Sequence, residues 1–398
     1  MSASRDLFPV LRARPELCYL DSAATSLLPQ VALDAMVASL RAGGSAGRSG
    51  HRLGHEATAS LERARASIAR HLGVAADELV VTASATDGLL LAAEGAVAPG
   101  LRPGDRLVVG ADAHHAHLLP WRALARRVGA EVVSVGLAPD GALDRGQLAA
   151  ALGPSVRAVA LTHVSNVTGA VAGVARLAEL VRARCPDAWV VVDGTQALCH
   201  LDVRPAELGV DLYVWSGHKA HGALGAGFVW GRRERWPQVR PVRWGGGMVH
   251  RVDEQGEILR DAPARFEAGT LDHPAVVCGA AGLAFLAEHR DPARSRWLAE
   301  TAALELSSVP GVTVLGAPPE RTGLVSFVLQ GVHPHDVAQV AEADGVALRA
   351  GHHCAQPLLA ALGVRSAVRA SFGVHTTDDD LARLLATVRR AQKLLGAT

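Results

Sequence analysis

Lysine is rare in this 398-residue sequence: of 40 basic side chains, only Lys219 and Lys393 are lysines, and the rest are arginines. Arginine stays protonated, whereas lysine can lose its proton and form an imine with a carbonyl group. A lysine in mid-chain, where the sequence otherwise uses arginine, therefore indicates imine chemistry at Lys219. The alternative is an ordinary surface lysine, so its neighbours must decide.

Acidic and basic groups follow two neighbouring predicted strands. The apolar run Trp189–Val192 leads into Asp193, and the run Asp211–Val214 leads into Ser216-Gly217-His218-Lys219. A carboxylate at the end of an apolar strand is costly to bury unless it meets a cation. A protonated pyridine nitrogen would be such a cation, so the pair of strand ends favours a pyridine-containing aldehyde.

A third strand end could bind phosphate. The predicted strand Leu79–Thr82 is followed by Ser84-Ala85-Thr86 and the helical run Leu89–Val97. Free N–H groups and hydroxyls at a helix start bind anions, although such residues more often only cap the helix. Neither a Gly-x-x-x-x-Gly-Lys-Ser/Thr loop nor a Gly-x-Gly-x-x-Gly loop occurs, which leaves nucleotide binding without support. An imine-forming lysine, an acid and a phosphate cradle together match the needs of pyridoxal phosphate (PLP).

The elements that must position these groups alternate between strand and helix. Apolar runs predict seven strands, at Leu79–Thr82, Arg106–Val109, Glu131–Gly136, Ala158–Thr162, Trp189–Val192, Asp211–Val214 and Ala226–Trp230. The alternation predicts an α/β domain, residues 20–282, with a mostly parallel seven-stranded sheet that binds ligands at the carboxyl ends of its strands. A long helix from Leu283 to Leu306 then opens a smaller α+β domain, residues 283–398, on which residues 1–19 are expected to pack. The glycine-rich segment 240–261 is the best candidate for a mobile loop.

The overall composition excludes several classes of protein. The net charge is +1 with both signs interspersed, which is atypical of nucleic-acid-binding and membrane-surface proteins. The first twenty residues lack the apolar core of a signal peptide, and the most apolar stretch, Leu89–Leu101, is too short to span a bilayer. Five cysteines, an odd number, make no disulfide framework, so we expect a reduced, cytoplasmic protein.

Seven stretches of the sequence resemble the class V aminotransferase family of fold-type I PLP enzymes. Within that family the likeness is to group II cysteine desulfurases, which are related to selenocysteine lyases. The stretches follow the order of the family over nearly the whole chain: Tyr19–Thr25, His114–Ala116, Thr162–Gly169, Val192–Ala197, Ser216–Lys219, Arg265–Thr270 and Arg349–Ala355.

The resemblance implies a role for each matching residue. Lys219 would hold PLP as a Schiff base, Asp193 would pair with the pyridinium nitrogen, and His114 would stack on the ring and transfer protons. The ring and substrate edge would meet Gln196 and Asn166, and the phosphate would meet Ala85, Thr86, Ser216 and His218. Thr270 would reach the phosphate of a neighbouring subunit, which implies a homodimer. Substrate would meet Arg369, which clamps its carboxylate, together with Arg349 and His51.

Cys354 discriminates among the PLP reactions. Its basic neighbours His352, His353 and Arg349 favour the thiolate. The other four cysteines have no such cluster of basic neighbours and are interpreted as structural. The hypothesis is that L-cysteine, or selenocysteine, is converted to alanine while Cys354 receives a persulfide, which passes to an acceptor protein or small thiol.

Three alternatives stay open. Another class V enzyme, namely a selenocysteine lyase, a C–S lyase or an epimerase, would keep Lys219 and Asp193. A metal hydrolase could use some of the 18 histidines, but His51 and His55 lack the glutamate of a His-Glu-x-x-His site, and no metal is predicted. A sulfur-carrying or scaffold pseudoenzyme would need a damaged cofactor site.

Overall fold

The computed structural model describes residues 4–47 and 50–395. Its strands are β1 (Cys18–Tyr19), β2 (Leu79–Thr82), β3 (Arg106–Gly110), β4 (Glu131–Val135), β5 (Val156–Thr162), β6 (Trp189–Asp193), β7 (Leu212–Ser216), β8 (Gly227–Gly231), β9 (Val249–Asp253), β10 (Gly256–Leu259), β11 (Val312–Val314), β12 (Leu324–Leu329), β13 (Val346–Ala347), β14 (Arg349–Gly351) and β15 (Ala367–Ser371). Its α-helices are α1 (Pro9–Ala13), α2 (Gln30–Ala42), α3 (Arg52–Leu72), α4 (Ala85–Leu90), α5 (His115–Val128), α6 (Arg145–Ala151), α7 (Val174–Arg184), α8 (His273–His289), α9 (Pro292–Ser307), α10 (Pro334–Ala343), α11 (Gln356–Ala361) and α12 (Asp378–Leu395).

The larger sheet has the predicted seven strands within the described part of the chain, in the order β2-β8-β7-β6-β5-β3-β4. The pairs among β3, β4, β5, β6 and β7 are parallel, and β8 runs antiparallel to both β7 and β2. The prediction of a mostly parallel sheet is therefore confirmed. The parallel strands end at one edge, where their last residues can converge on a ligand.

The alternation of side chains along each strand fills two cores, one on each face of this sheet. Val190 and Val192 of β6 join the core that contains α3, α7 and α8, whereas Trp189 and Val191 join the core that contains α4 and α5. Because successive side chains point to opposite faces, Asp193 projects towards the face covered by α4 and α5. Ser216, at the end of β7, shares that face by the same count. Asp193 and Ser216 therefore both point to the face of the sheet that α4 and α5 cover.

A second, antiparallel sheet has the order β11-β12-β15-β14. Its core draws on α9, α10 and α12 and also on Cys18 and Leu20. The N-terminal residues are tied to it by β1, which pairs in parallel with β13, and by an ion pair of 3.1 Å between Arg5 and the buried Asp380. The division into domains 20–282 and 283–398 remains a prediction, and α8, which packs on α2 and α3, runs through position 283.

Two predicted segments differ from the structure. The prediction of one helix from Leu283 to Leu306 is wrong, because α8 ends at His289 and α9 begins at Pro292. Asp291 caps the new helix by accepting a hydrogen bond from the Arg294 amide at 2.9 Å, and proline suits a first helical position. The segment 240–261, predicted as a mobile loop, carries the hairpin of β9 and β10.

The described residues form neither a membrane-spanning helix nor a cluster of metal ligands. None of the helices placed there is both long and apolar enough to cross a membrane. Nor do histidine, cysteine, aspartate and glutamate side chains gather there in threes or more in a way that could hold a metal ion.

Candidate active site

A cavity of about 530 Å³ opens at the carboxyl ends of β5, β6 and β7 and is closed on the other side by the second sheet. It brings together twelve of the predicted site residues: Ala85, Thr86, His114, Asn166, Asp193, Gln196, Ser216, His218, Lys219, Arg349, Cys354 and Arg369. Groups more than 280 residues apart in the sequence, such as Ala85 and Arg369, line the same space. The remaining two predicted residues, His51 and Thr270, do not line it.

Lys219 lies in the short 3-10 turn Gly217–Lys219 that follows β7. Burial, and after it the positive charge of Arg369, lowers the pKa of Lys219 from 10.5 to about 8, although the Asp193 carboxylate acts in the opposite direction. A lysine must be uncharged to attack a carbonyl carbon, so this environment prepares the amine for imine formation.

Asp193 is buried, and one of its carboxylate oxygens accepts a hydrogen bond of 3.0 Å from the Thr195 amide. Across the cavity, Nδ1 of His114 accepts a hydrogen bond of 3.0 Å from the Ala116 amide and so caps α5. Burial lowers the pKa of His114 to about 4, which keeps its ring neutral at pH 7. With Nδ1 accepting, the ring proton belongs on Nε2, which leaves a donor on a flat neutral ring.

The start of α4 is fastened to the end of β7. The Ala85 amide donates to the Ser216 hydroxyl at 2.8 Å, and the Ser84 hydroxyl accepts from the Asp87 amide at 3.2 Å. Gly227 of β8 permits this closeness, because a Cβ there would lie 2.2 Å from the carbonyl carbon of Ser84. The helix start therefore faces the cavity beside Ser216, as a phosphate site requires.

Arg369, on β15, is buried and held from two sides. Its Nη1 donates to the Asn166 carbonyl oxygen at 3.0 Å, and its Nη2 donates to a carboxylate oxygen of Asp21 at 3.2 Å. The other oxygen of Asp21 lies 3.5 Å from Nη1 of Arg349. Asp21, which the sequence analysis did not assign to the site, thus bridges the two arginines expected to meet substrate. Its one signal was its position inside the Tyr19–Thr25 stretch.

Cys354 lies in the exposed turn between β14 and α11, at the rim of the cavity. The carbonyl oxygen of His353 accepts from the Asn166 side-chain amide at 2.7 Å, and the carbonyl oxygen of Cys354 accepts from the His115 amide at 2.7 Å. The contribution of His115 was also missed from the sequence, because its partners lie about 240 residues away in the chain. Elsewhere, burial raises the pKa of Cys199 to about 12 and that of Cys278 to about 11, as suits structural thiols.

Unpartnered polar atoms in the cavity indicate what it can hold. Among the described residues, five buried atoms of its lining side chains have no hydrogen-bond partner: Thr162 Oγ1, Asn166 Oδ1, Thr195 Oγ1, His353 Nδ1 and Arg369 Nε. Buried polar groups are nearly always paired, so these atoms call for a polar ligand. An aldehyde-reactive amine, an acid and a phosphate-binding helix start fit PLP, and the free Nε of Arg369 fits a carboxylate.

The two predicted residues outside the cavity lie on other surfaces. His51 is exposed, and its Nδ1 accepts from the Gly54 amide at 3.3 Å to cap α3. Thr270 borders a second cavity of about 450 Å³, together with Asp87, Arg243 and Asp272.

Comparison with known proteins places this site in a family. The family described as Aminotransferase class-V matches residues 18–384. A probable cysteine desulfurase of Mycobacterium leprae is 41% identical over 418 aligned positions, which cover 100% of this chain and 97% of the relative.

Two solved structures have the same fold over 98% of both chains. The cysteine desulfurase CsdA from Escherichia coli has a TM-score of 0.90 and 36% identity. The apo cysteine desulfurase from Thermococcus onnurineus NA1 has a TM-score of 0.93 and 30% identity. The match of the family over residues 18–384, together with relatives of this similarity over full length, shows that the chain belongs to the class V aminotransferases.

Proposed function

We propose that the protein is a PLP-dependent cysteine desulfurase, which converts L-cysteine to L-alanine and holds the sulfur as a persulfide on Cys354. The observation that carries the proposal is an exposed thiol at the rim of a cavity whose lysine has a pKa of about 8. The fold is that of the fold-type I PLP enzymes, and relatives named cysteine desulfurase align over the full length.

The residues of the cavity suit the parts of the cofactor. Lys219 would bond to its aldehyde carbon, Asp193 would pair with its pyridine nitrogen, and His114 and Gln196 would contact its ring. The phosphate would lie at the start of α4, with Ala85, Thr86, Ser216 and His218. Bound PLP supplies an electron sink that stabilises negative charge at the Cα of an amino acid.

Arg369 is proposed to bind the substrate carboxylate through its free Nε edge, with Arg349 and Asn166 beside it. This places the Cα–H bond of the amino acid near Lys219, whose amine, once neutral, can accept the Cα proton at Nζ. The neutral ring of His114, with its proton on Nε2, can hand a proton back to the product. Both proton steps use side chains that burial has shifted away from their ordinary pKa.

The sulfur step belongs to Cys354. Its thiolate attacks Sγ of the substrate, so that a sulfur–sulfur bond forms and the Cβ–Sγ bond breaks. The electron pair of the broken bond stays with Cβ, which takes a proton and becomes the methyl group of alanine. The reaction balances without an external oxidant, and the persulfide leaves when an acceptor protein or small thiol takes its terminal sulfur.

A homodimer with shared sites completes the proposal. Thr270 and His51 lie outside the cavity of their own chain. A second copy would bring Thr270 to the cofactor phosphate and His51 to the substrate. Large apolar side chains are exposed close to the Thr270 cavity, notably Leu90 and Leu224, the latter with 71% of its surface exposed. Such exposure is typical of a surface that another chain covers.

Five unpaired cysteines, all in the described part of the chain, suit a reducing cytoplasm.

Product analysis tests the function. Purified protein should release alanine from L-cysteine, and the peptide with Cys354 should gain the mass of one sulfur atom when reductant is omitted. Cys354→Ser should lose turnover and keep the yellow cofactor absorbance, while Cys199→Ser, which retains a donor for the Lys219 carbonyl oxygen, should stay active. Alanine formation by Cys354→Ser at the wild-type rate would rule out the persulfide step. The same assay with selenocysteine measures substrate preference.

A further inference from the structure

The backbone around Cys354 has an unfavourable conformation. His353 has a φ of 50° and Cys354 a φ of 52°, so two consecutive residues other than glycine occupy the left-handed region. This conformation is unfavourable for a residue with a side chain, and it persists only where the surroundings enforce it. The contacts that enforce it must therefore also decide where the Cys354 thiol lies.

Part of the restraint comes from the second sheet and from Asn166. The ring Nε2 of His353 lies 3.0 Å from the carbonyl oxygen of Ala367, and the carbonyl oxygen of His353 accepts from Asn166. Within the turn, the Ala355 amide donates to the carbonyl oxygen of His352 at 2.9 Å. These bonds restrain the turn around His353, but none of them binds the carbonyl group of Cys354 or the first residue of α11.

His115 holds that C-terminal side by two bonds. Its amide donates to the carbonyl oxygen of Cys354 at 2.7 Å, and its ring Nε2 accepts from the Gln356 amide at 3.3 Å. Gln356 is the first residue of α11, whose N-cap residue, Ala355, has no side chain that could accept a hydrogen bond. The imidazole of His115, 241 residues away in sequence, therefore caps α11 in its place.

We infer that His115 is a positioning residue, which clamps the Cys354 turn to the start of α5 and so fixes the thiol over the cavity. The inference rests on the proposed function only in assigning a catalytic use to the thiol. His114, the ring-contacting residue, caps the same helix. One helix end thus carries both the contact to the cofactor ring and the clamp on the nucleophile, which keeps the distance between them constant.

The chemistry of His115 suits this role. Burial, with the charges of His352 and Arg122, lowers the pKa of His115, which favours the neutral ring. A neutral ring with its proton on Nδ1 accepts at Nε2, as the bond from the Gln356 amide requires. Glutamine in its place offers an amide oxygen as an acceptor, whereas alanine offers none. The backbone bond from position 115 to Cys354 survives either change, so alanine removes the capping bond alone and glutamine can retain it.

Hydrogen exchange and kinetics on the holoenzyme test the clamp. In His115→Ala, the amides of residues 354–356 should exchange faster than in wild type, and kcat for alanine formation should fall by on the order of tenfold, as expected when a reacting group loses its fixed position. KM for cysteine and the cofactor absorbance should stay unchanged, because Arg369 and Lys219 are untouched. His115→Gln should restore both slow exchange and kcat. His335→Ala, at the same rim of the cavity, is the matched control and should behave as wild type.

Two results would overturn the inference. Unchanged exchange of residues 354–356 in His115→Ala would mean that the imidazole does not hold the turn. Faster exchange with wild-type kcat would mean that the turn needs no clamp for catalysis. Failure of the proposed function appears elsewhere, as wild-type alanine formation by Cys354→Ser, and the exchange of the turn would still report whether the clamp exists.

Discussion

At the scale of single residues, burial acts on the Lys219 amine more strongly than either neighbouring charge. The charge of Arg369 adds to the effect of burial and that of Asp193 opposes it, and the resulting pKa is about 8. Half of the amine is then uncharged at pH 8, where an unperturbed lysine is neutral in roughly one molecule in 300. An environment that disfavours the charged amine makes Lys219 more reactive, and it also lowers the stability of the folded protein.

That cost predicts a pH-dependent stability of the cofactor-free protein. Because the folded pKa of about 8 lies below the ordinary 10.5, the unfolded chain binds this proton more tightly, so Lys219 opposes folding below about pH 8. We expect cofactor-free Lys219→Met to be more stable than wild type at pH 7, by on the order of 1–3 kcal/mol. The difference should shrink as pH rises from 8 towards 10.5, where the unfolded state also loses the proton. Urea unfolding of wild type and Lys219→Met at pH 7 and at pH 10 measures this difference in the free energy of unfolding.

The exposed Lys393 is the control for this prediction, as the second of two lysines in the sequence. Lys393→Met should change stability little at any pH. An equal gain for Lys219→Met at pH 7 and pH 10 would contradict the expectation, since it would trace the gain to the apolar side chain instead of the charge.

Asp21 predicts an effect on substrate affinity. Asp21→Asn removes the negative charge that pairs with Arg369 and Arg349, so both arginines should attract a substrate carboxylate more strongly. We expect a lower KM for cysteine and tighter binding of L-alanine in an equilibrium titration. Stability in urea should fall by about 1–3 kcal/mol, because the buried guanidinium loses its charged partner. Asp77→Asn, which breaks an exposed pair with Arg233, is the control, and a raised KM for Asp21→Asn would refute the prediction.

Rarity made some site residues predictable from sequence, while others needed the fold. Lys219 stood out as one of two lysines, and Asp193 as a charge at the end of an apolar strand. Asp21 and His115 gave no comparable signal, because their partners lie 348 and 241 residues away. Ion pairs and caps between distant segments depend on the packing of whole elements, which no local pattern encodes.

At the scale of elements, the strands of the larger sheet were predictable because their apolar runs are short and bounded by polar residues. Helix ends were harder. An Ala/Leu/Glu pattern continues through residues 283–306, and only the Asp291-Pro292 pair marks the end of one helix and the start of the next. Aspartate at the cap and proline at the first helical position outweigh the periodic pattern around them.

A buried ion pair joins three elements and supports the segment with Thr270. Arg65 of α3 contacts the Glu267 carboxylate at 2.7 Å and donates to the Leu79 carbonyl oxygen of β2, while the Val81 amide donates to Glu267 at 2.7 Å. We expect Glu267→Gln to destabilise the protein by about 3 kcal/mol, because it leaves a buried arginine undercompensated. Glu94→Gln breaks the more exposed pair with Arg127 and should cost less than about 1 kcal/mol. Equal losses in chemical unfolding would contradict this ranking.

At the scale of the whole molecule, the cavity takes its reactive groups from both sheets. Asp193 ends β6 and Lys219 follows β7 of the seven-stranded sheet, whereas Arg369 lies on the second sheet and Cys354 follows its β14. A substrate held by Arg369 and Lys219 therefore bridges the two cores. The proposed dimer would add a third source, because Thr270 lies outside the cavity of its own chain and would reach that of a second copy.

Mixed dimers test that sharing directly. Lys219→Ala should abolish turnover, and Thr270→Ala should weaken cofactor binding and reduce activity. In a dimer with one chain of each kind, one site combines both defects, but the other has a natural Lys219 from one chain and a natural Thr270 from its partner. If the sites are shared, unfolding and refolding the two defective preparations together should restore activity towards half that of wild type per mixed dimer. If Thr270 served its own chain, the mixture would gain nothing over the sum of its parts, because each chain would carry its defect into its own site.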